Sequence, residues 1–375
     1  MIDSHAHAVT GSGGALDLSQ VSLELVDDPG TDAIRARAAP SRLSQELMGA
    51  RLARHLGCEV EDLGPARAEA SADWDAYVRR LFSDANIRGL VLDPGWSDAD
   101  PATASSDLAQ LSQCPVRAIM RVDPLVDQLI ADGAGAGEVL ERVEAAVAGA
   151  PAQGYVGLKT ILAYRTGLAV DPGASLEQAE TSLRDQDQVP VRRRGKALRD
   201  LVCRAMLGWA ADLSLPVQFH TGFGDSEIRL AEANPLLLDE LLLTPEGRAA
   251  TVVLIHGSFP WHEQLAYLAL VRANVHAEVS LFNIFAPARI ADRLERVLEL
   301  APTARVLCGT DGHGAPETFW LAATLLQEAW SKVRQRWMEL GARRTWLESV
   351  EQAIFTDNTA RLYGFAATDH PADAE

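Results

Sequence analysis

The chain has 375 residues, within the usual span of one (β/α)8 barrel with insertions, and 47% of them are apolar against 6% aromatic, so the core is built chiefly from Ala, Val, Leu and Ile. A net charge of −18 and one short basic run, Arg192 to Arg194 with Lys196, argue against nucleic acid as a partner. Four widely spaced cysteines without a CxxC pair, no apolar run near the roughly 20 residues a bilayer needs, and an acidic rather than basic N-terminus point to a reducing, cytoplasmic setting without a membrane.

In chain order, short β-rich runs predict strands at Met1–Ser4, Ile87–Leu92, Val116–Arg121, Tyr155–Leu158, Pro216–Phe219, Thr251–Ile255, Val275–Ser280 and Arg305–Cys308. Helical patterns follow at Gly137–Ala148, Lys196–Leu213, Trp261–Arg272, Ala288–Leu300 and Pro316–Leu340. Eight strand–helix units require a parallel sheet with right-handed crossovers, which closes most simply into a TIM barrel. We read residues 1–375 as one barrel with a helical cap inserted at 8–86, containing helices at Ser41–Leu56 and Ala72–Phe82, and with a flexible tail at 365–375. The polar stretch Ala169–Gly195 is the second long connection. Both follow strands and are expected at the mouth, as lids.

The histidines carry the strongest chemical signal. His5 and His7 are two apart at the end of the first strand, so their side chains share a side. His220 ends the fifth strand, His256 the sixth, and Asp311 follows the eighth. One strand-end histidine usually meets a local hydrogen-bonding need. Five such groups on the rim where barrels build their sites instead supply the nitrogen and oxygen donors of a divalent ion, zinc by preference and manganese as the alternative.

These residues resemble the ligand pattern of the amidohydrolase superfamily. Gly157-Leu-Lys-Thr-Ile-Leu-Ala-Tyr-Arg-Thr-Gly167, Gln218-Phe-His-Thr-Gly-Phe-Gly-Asp225, Asn234-Pro-Leu-Leu-Leu238 and Gly309-Thr-Asp-Gly-His-Gly314 are similar to its amidohydrolase-related branch, from residue 2 to about 364. That branch includes hydrolases fused or adjacent to glutamine-synthetase-like ligases. The resemblance implies hydrolysis of a C–N bond in a carboxylate-bearing amide such as a γ-glutamyl amide, and a ligase of that kind as working partner. The segment His256-Gly-Ser-Phe-Pro-Trp-His262 departs from the His-Cys-Tyr-Pro of many relatives, so the substrate-lining loop differs.

His5, His7 and His220 are the expected ligands, and Asp311 is a ligand and the general base. His256 either completes the shell or hydrogen-bonds the oxyanion. Lys159 is either a carboxylated lysine bridging two ions, as the resemblance allows, or an ammonium that binds a substrate carboxylate or pairs with Asp311, so one ion or two stays open. Arg165 with Tyr164, then Arg121, are candidates for the substrate's acid group. Trp96 and His262 complete the expected pocket wall. Competing readings are a metal-dependent decarboxylase of a small carboxylic acid, an esterase or lactonase, and a non-catalytic barrel partner of a ligase. Apolar stripes over Trp320–Ala329 and Trp330–Leu340 are compatible with a homo-oligomer face or with ordinary packing on a barrel.

Overall fold

The computed structural model describes residues 1–16, 42–95, 101–184 and 188–366. Eight parallel strands run in sequence order: β1 (Ile2–Ala6), β2 (Gly89–Leu92), β3 (Val116–Arg121), β4 (Tyr155–Thr160), β5 (Val217–Phe219), β6 (Val252–Leu254), β7 (Val275–Val279) and β8 (Val306–Cys308). Each lies within two residues of its predicted bounds. Around them pack α1 (Leu43–Leu56), α2 (Leu63–Ala70), α3 (Trp74–Asp84), α4 (Pro101–Ser112), α5 (Asp123–Ala131), α6 (Ala136–Gly149), α7 (Leu176–Leu183), α8 (Lys196–Asp212), α9 (His262–Val271), α10 (Ile290–Leu298), α11 (Pro316–Glu339) and α12 (Arg344–Gln352). This is a TIM barrel with a helical insertion after its first strand.

Closure happens at the mouth, between the segments that carry the candidate ligands. Asp311 N–H donates to the His5 carbonyl over 2.9 Å, and His7 N–H to the Gly312 carbonyl over 2.8 Å. Below, fully buried Asp3 accepts from Thr310 N–H (2.8 Å) and also bonds the Thr310 hydroxyl. Sealing the barrel and placing His5, His7 and Asp311 together are therefore one structural event.

Two apolar cores result. Between strands and helices lies a continuous layer of aliphatic side chains, and α11 gives it Phe319, Leu321, Leu326, Trp330 and Val333. The stripe along α11 thus largely packs on its own barrel. Inside the barrel, Ile2, Val91, Ile119, Val253 and Leu307 meet Tyr363 and Phe365, which plug the bottom from the C-terminal end.

The helical insertion corrects an expectation. Its described helices do not line the mouth but pack beside α11: α3 buries Tyr77, Val78, Leu81 and Phe82, with the Phe82 and Phe319 rings 5.1 Å apart. An apolar helix face seeks the larger apolar surface, and here that is the outer layer. Buried Arg67 of α2 ties the two regions, donating to Glu317 (2.8 Å) and to the carbonyls of Ser12 and Gly14 (2.9 and 2.7 Å). The stretch 169–195 does reach the mouth, through Val191 and Arg192, but also contains α7, whose start Ser175 and Gln178 close with a capping box. Most of the tail at 365–375 lies outside the described residues. The four cysteines are free thiols, and no described helix is long and apolar enough to cross a membrane.

Candidate metal centre at the barrel mouth

The ligand atoms of His5, His7 and Asp311, all buried, lie within 4.8 Å of one another. Asp311 Oδ1 is 3.3 Å from His5 Nε2 and 3.4 Å from His7 Nε2, yet it makes no hydrogen bond of ordinary geometry. His7 Nδ1–H donates to the Asp93 carbonyl over 2.9 Å, which leaves Nε2 to face a carboxylate that is itself only an acceptor. Acceptors converging in a buried place repel unless a cation lies among them. The donor set therefore fits a divalent ion of the zinc class.

Electrostatics agree. Burial, with Lys159 nearby, pushes His5 down to about 4. Burial alone would raise the Asp311 carboxyl, but His256, His5 and His7 around it hold it well below the usual carboxylate range. His5 is a neutral donor and Asp311 an anion, the forms in which metal ligands act.

His220 and His256 stand beside this set rather than in it. Both are buried, their rings are 4.5 Å apart, and the His256 ring is 5.4 Å from His5. His220 Nε2–H donates to the Phe223 carbonyl over 3.1 Å, leaving Nδ1 as the nitrogen with a lone pair. Burial pushes both rings well below the ordinary histidine range. His256, Asp311 and Leu281 have positive φ values of 68°, 53° and 57°. Leu281 forms a tight γ-turn closed by Phe282 N–H to the Ser280 carbonyl. Non-glycine residues held so cost about 1–3 kcal/mol each, and such strain gathers at functional sites.

A cavity of about 810 Å³ opens above, lined by His7, Lys159, His220, His256, Leu281 and Asp311 together with Arg121, Tyr164, Arg165 and His313. That volume suits a small molecule. Lys159 is fully enclosed, with Nζ 3.0 Å from His5 Nε2 and 3.6 Å from Asp93 Oδ2, and burial lowers it to about 8 against the opposing pull of Asp93. Both arginines have internal partners: Arg121 grips Asp93 through Nε and Nη2 (2.5–3.2 Å), and Arg165 Nε and Nη2 reach Asp127 at 2.9 Å. Tyr164 Oη accepts from Asp225 N–H at 3.1 Å and crowds Gly224, where a Cβ would stand 1.8 Å from it.

His262 is a correction. It does not line the cavity; its Nδ1–H donates to the Gly257 carbonyl (2.8 Å) and its ring packs between Phe259 and Phe282. As the first residue of an apolar helix it turns inward instead of toward the mouth. Trp96 lies outside the described residues. Two groups escaped the sequence reading: Asp93, fully buried, which holds Arg121, Lys159 and, through its carbonyl, His7; and Glu278, fully buried on β7. Their signals were a strand-end aspartate and one carboxylate inside an apolar strand.

The family profile described as Amidohydrolase matches residues 2–365. The chain belongs to the amidohydrolase family. Protein fluG of Emericella nidulans is 28% identical over 97% of this chain, which spans only 45% of that relative's length. An inferred metal-dependent hydrolase from Lactobacillus casei ATCC 334 has 25% identity and a TM-score of 0.86, covering 99% of this chain and 96% of its own. Uronate isomerase from Thermotoga maritima, 12% identical with a TM-score of 0.65 over 97% of this chain and 94% of that one, shares the fold.

Proposed function

We propose that this amidohydrolase-family chain is a metal-dependent hydrolase that cleaves the C–N bond of a carboxylate-bearing amide, a γ-glutamyl amide being the first candidate. The observation that carries the reading is the buried set of His5, His7 and Asp311, whose ligand atoms converge at the mouth within 4.8 Å of one another, with Asp311 Oδ1 lacking a hydrogen-bond partner. Zinc or manganese bound there supplies Lewis-acid polarisation of the carbonyl and a water acidified toward neutrality.

His5, His7 and Asp311 would hold the ion, and His220, through Nδ1, and His256 would be further ligands or close neighbours. Asp311 takes the proton of the attacking water and returns it to the leaving nitrogen, a role worth roughly 10²–10⁴ in rate. The wall of Arg121, Tyr164 and Arg165 meets the substrate's carboxylate. Because Asp93 and Asp127 already pair with the two guanidiniums, that wall orients an anion by its remaining N–H groups rather than by excess charge. Lys159 is the ammonium between Asp93 and His5, an arrangement that serves a single ion.

Metal content by mass spectrometry, read with amine or ammonia release from γ-glutamyl amides before and after chelation, tests this. One equivalent of zinc or manganese with chelator-sensitive release supports it. Metal without amide turnover would send the search to other carboxylic acids, and a chain that takes up no metal would sink the reading.

A further inference from the structure

Beneath His256 lies a chain of polar groups that the reaction above does not use. Glu278 of β7 is fully buried, and its carboxylate meets three donors: Ser4 Oγ at Oε1 (3.1 Å), and the His256 backbone N–H (3.0 Å) and Ser280 Oγ (2.8 Å) at Oε2. Ser280 Oγ is also 2.9 Å from His256 Nδ1. On the neighbouring strand end Gly309 leaves the space this requires, since a Cβ there would stand 2.3 Å from Glu278 Oε1.

Counting hydrogens along this chain gives one answer. A serine hydroxyl has a single proton. The fixed N–H of His256 already aims at Oε2, so a proton on Glu278 would sit on Oε1, facing Ser4, and Oε2 accepts from Ser280 in either state. With its hydrogen spent there, the Ser280 oxygen can only accept from His256 Nδ1. We propose that Glu278 and Ser280 are positioning residues that fix His256 as its Nδ1–H tautomer and so turn an Nε2 lone pair toward the cavity. The two roles open to His256 then separate. A neutral ring of this form is a ligand or a proton acceptor and does not donate to an oxyanion. The conclusion holds whichever bond the enzyme breaks. The contact also anchors a residue held at positive φ, because the same carboxylate oxygen grips its backbone N–H.

Long-range ¹H–¹⁵N correlation spectra of the ¹⁵N-histidine-labelled full chain, as purified and after chelation, report the tautomer directly, with His256 assigned from a His256→Gln sample. The expected wild-type form carries the proton on Nδ1. Glu278→Gln keeps it, since the amide oxygen replaces Oε2 and the NH₂ faces Ser4. Glu278→Ala frees the hydroxyl to donate to Nδ1 and moves the proton to Nε2. Should that variant not fold, Ser280→Ala removes only the acceptor: the tautomer becomes mixed and zinc affinity, titrated with the metal alone, falls about 10–100-fold, the usual loss when a ligand's outer partner is removed. Ser280→Thr restores both. An Nε2–H ring in the wild type, or a tautomer indifferent to Ser280→Ala, would overturn the proposal.

Discussion

The two ends of this barrel are made from the same eight strands and obey opposite rules. At the bottom, Ile2, Val91, Ile119, Val253 and Leu307 close around Tyr363 and Phe365, with the Gln218 amide nitrogen donating to the Tyr363 hydroxyl (2.8 Å) and the Ser4 carbonyl (3.0 Å) and its Oε1 left unpartnered. At the mouth, three or four residues further along the same strands, His5 Nδ1 and Asp311 Oδ1 are buried without hydrogen bonds, and backbones are bent to positive φ at His256, Leu281 and Asp311. One end lowers the free energy of the fold; the other holds polar groups in a state that only a ligand relieves. The division matches the general assignment of stability to the N-terminal face of such barrels and chemistry to the C-terminal face.

The sharpest way to break that comparison is Asp311→Asn. If Asp311 is the base, kcat on an amide substrate falls by about 10²–10⁴ while the chelated protein still folds cooperatively. A fall of less than tenfold in kcat would place the base elsewhere. Asp93→Ala is expected to injure both properties, since it strips the partner from Arg121 and Lys159 in a buried place. Breaking such a group costs about 3–5 kcal/mol, read as the shift of a urea transition. Unchanged stability would show that Arg121 finds water or another carboxylate.

How much of this was legible in sequence follows from the range of the interactions involved. Strands β1 to β8 could be read because each is an apolar run flanked by turn residues, and His5, His7, His220, His256 and Asp311 because each ends one of them. Helices α4, α5 and α7 were not, since polar and small residues dilute their periodicity. The insertion could be located but not aimed: connectivity says that it follows β1, while the match of its apolar face to α11 decides where it lies. The supporting acids were hidden for a related reason. Asp93 acts on partners 28 and 66 positions away, and Glu278 on Ser4, 274 positions away, so nothing local marks either. Arg165 could be picked out as a candidate for an anion, but not its partner Asp127, 38 positions earlier, which already takes part of its guanidinium.

At the bottom the opposite outcome is expected. Phe365→Ala empties part of the plug and costs about 3 kcal/mol of stability, near the low end for an aromatic lost from a core, as the ring keeps 8% exposure. Because Phe365 sits in the cluster of Ile2, Val91 and Ile119, at the other end of the strands from the ligands, kcat per folded molecule stays within about twofold. A large fall in kcat with stability intact would mean that the two ends are mechanically coupled and the comparison misdrawn.

A smaller effect separates stability from the site altogether. His276 lies on β7 away from the mouth, and burial, with Arg361 and Arg305 nearby, pushes it down to about 4. The unfolded chain protonates this ring near its ordinary value of about 6.5, whereas the folded chain resists until about pH 4. Above 6.5 both states are neutral and the stabilising difference is complete; as pH falls from 6.5 toward 4 the unfolded state alone takes the proton and stability drains away. His276→Leu removes that proton sink, so in the chelated protein its melting temperature falls less steeply over this window than that of the wild type. Parallel pH profiles for the two would place the acid sensitivity in other buried histidines, His262 first, which burial also pushes down to about 4.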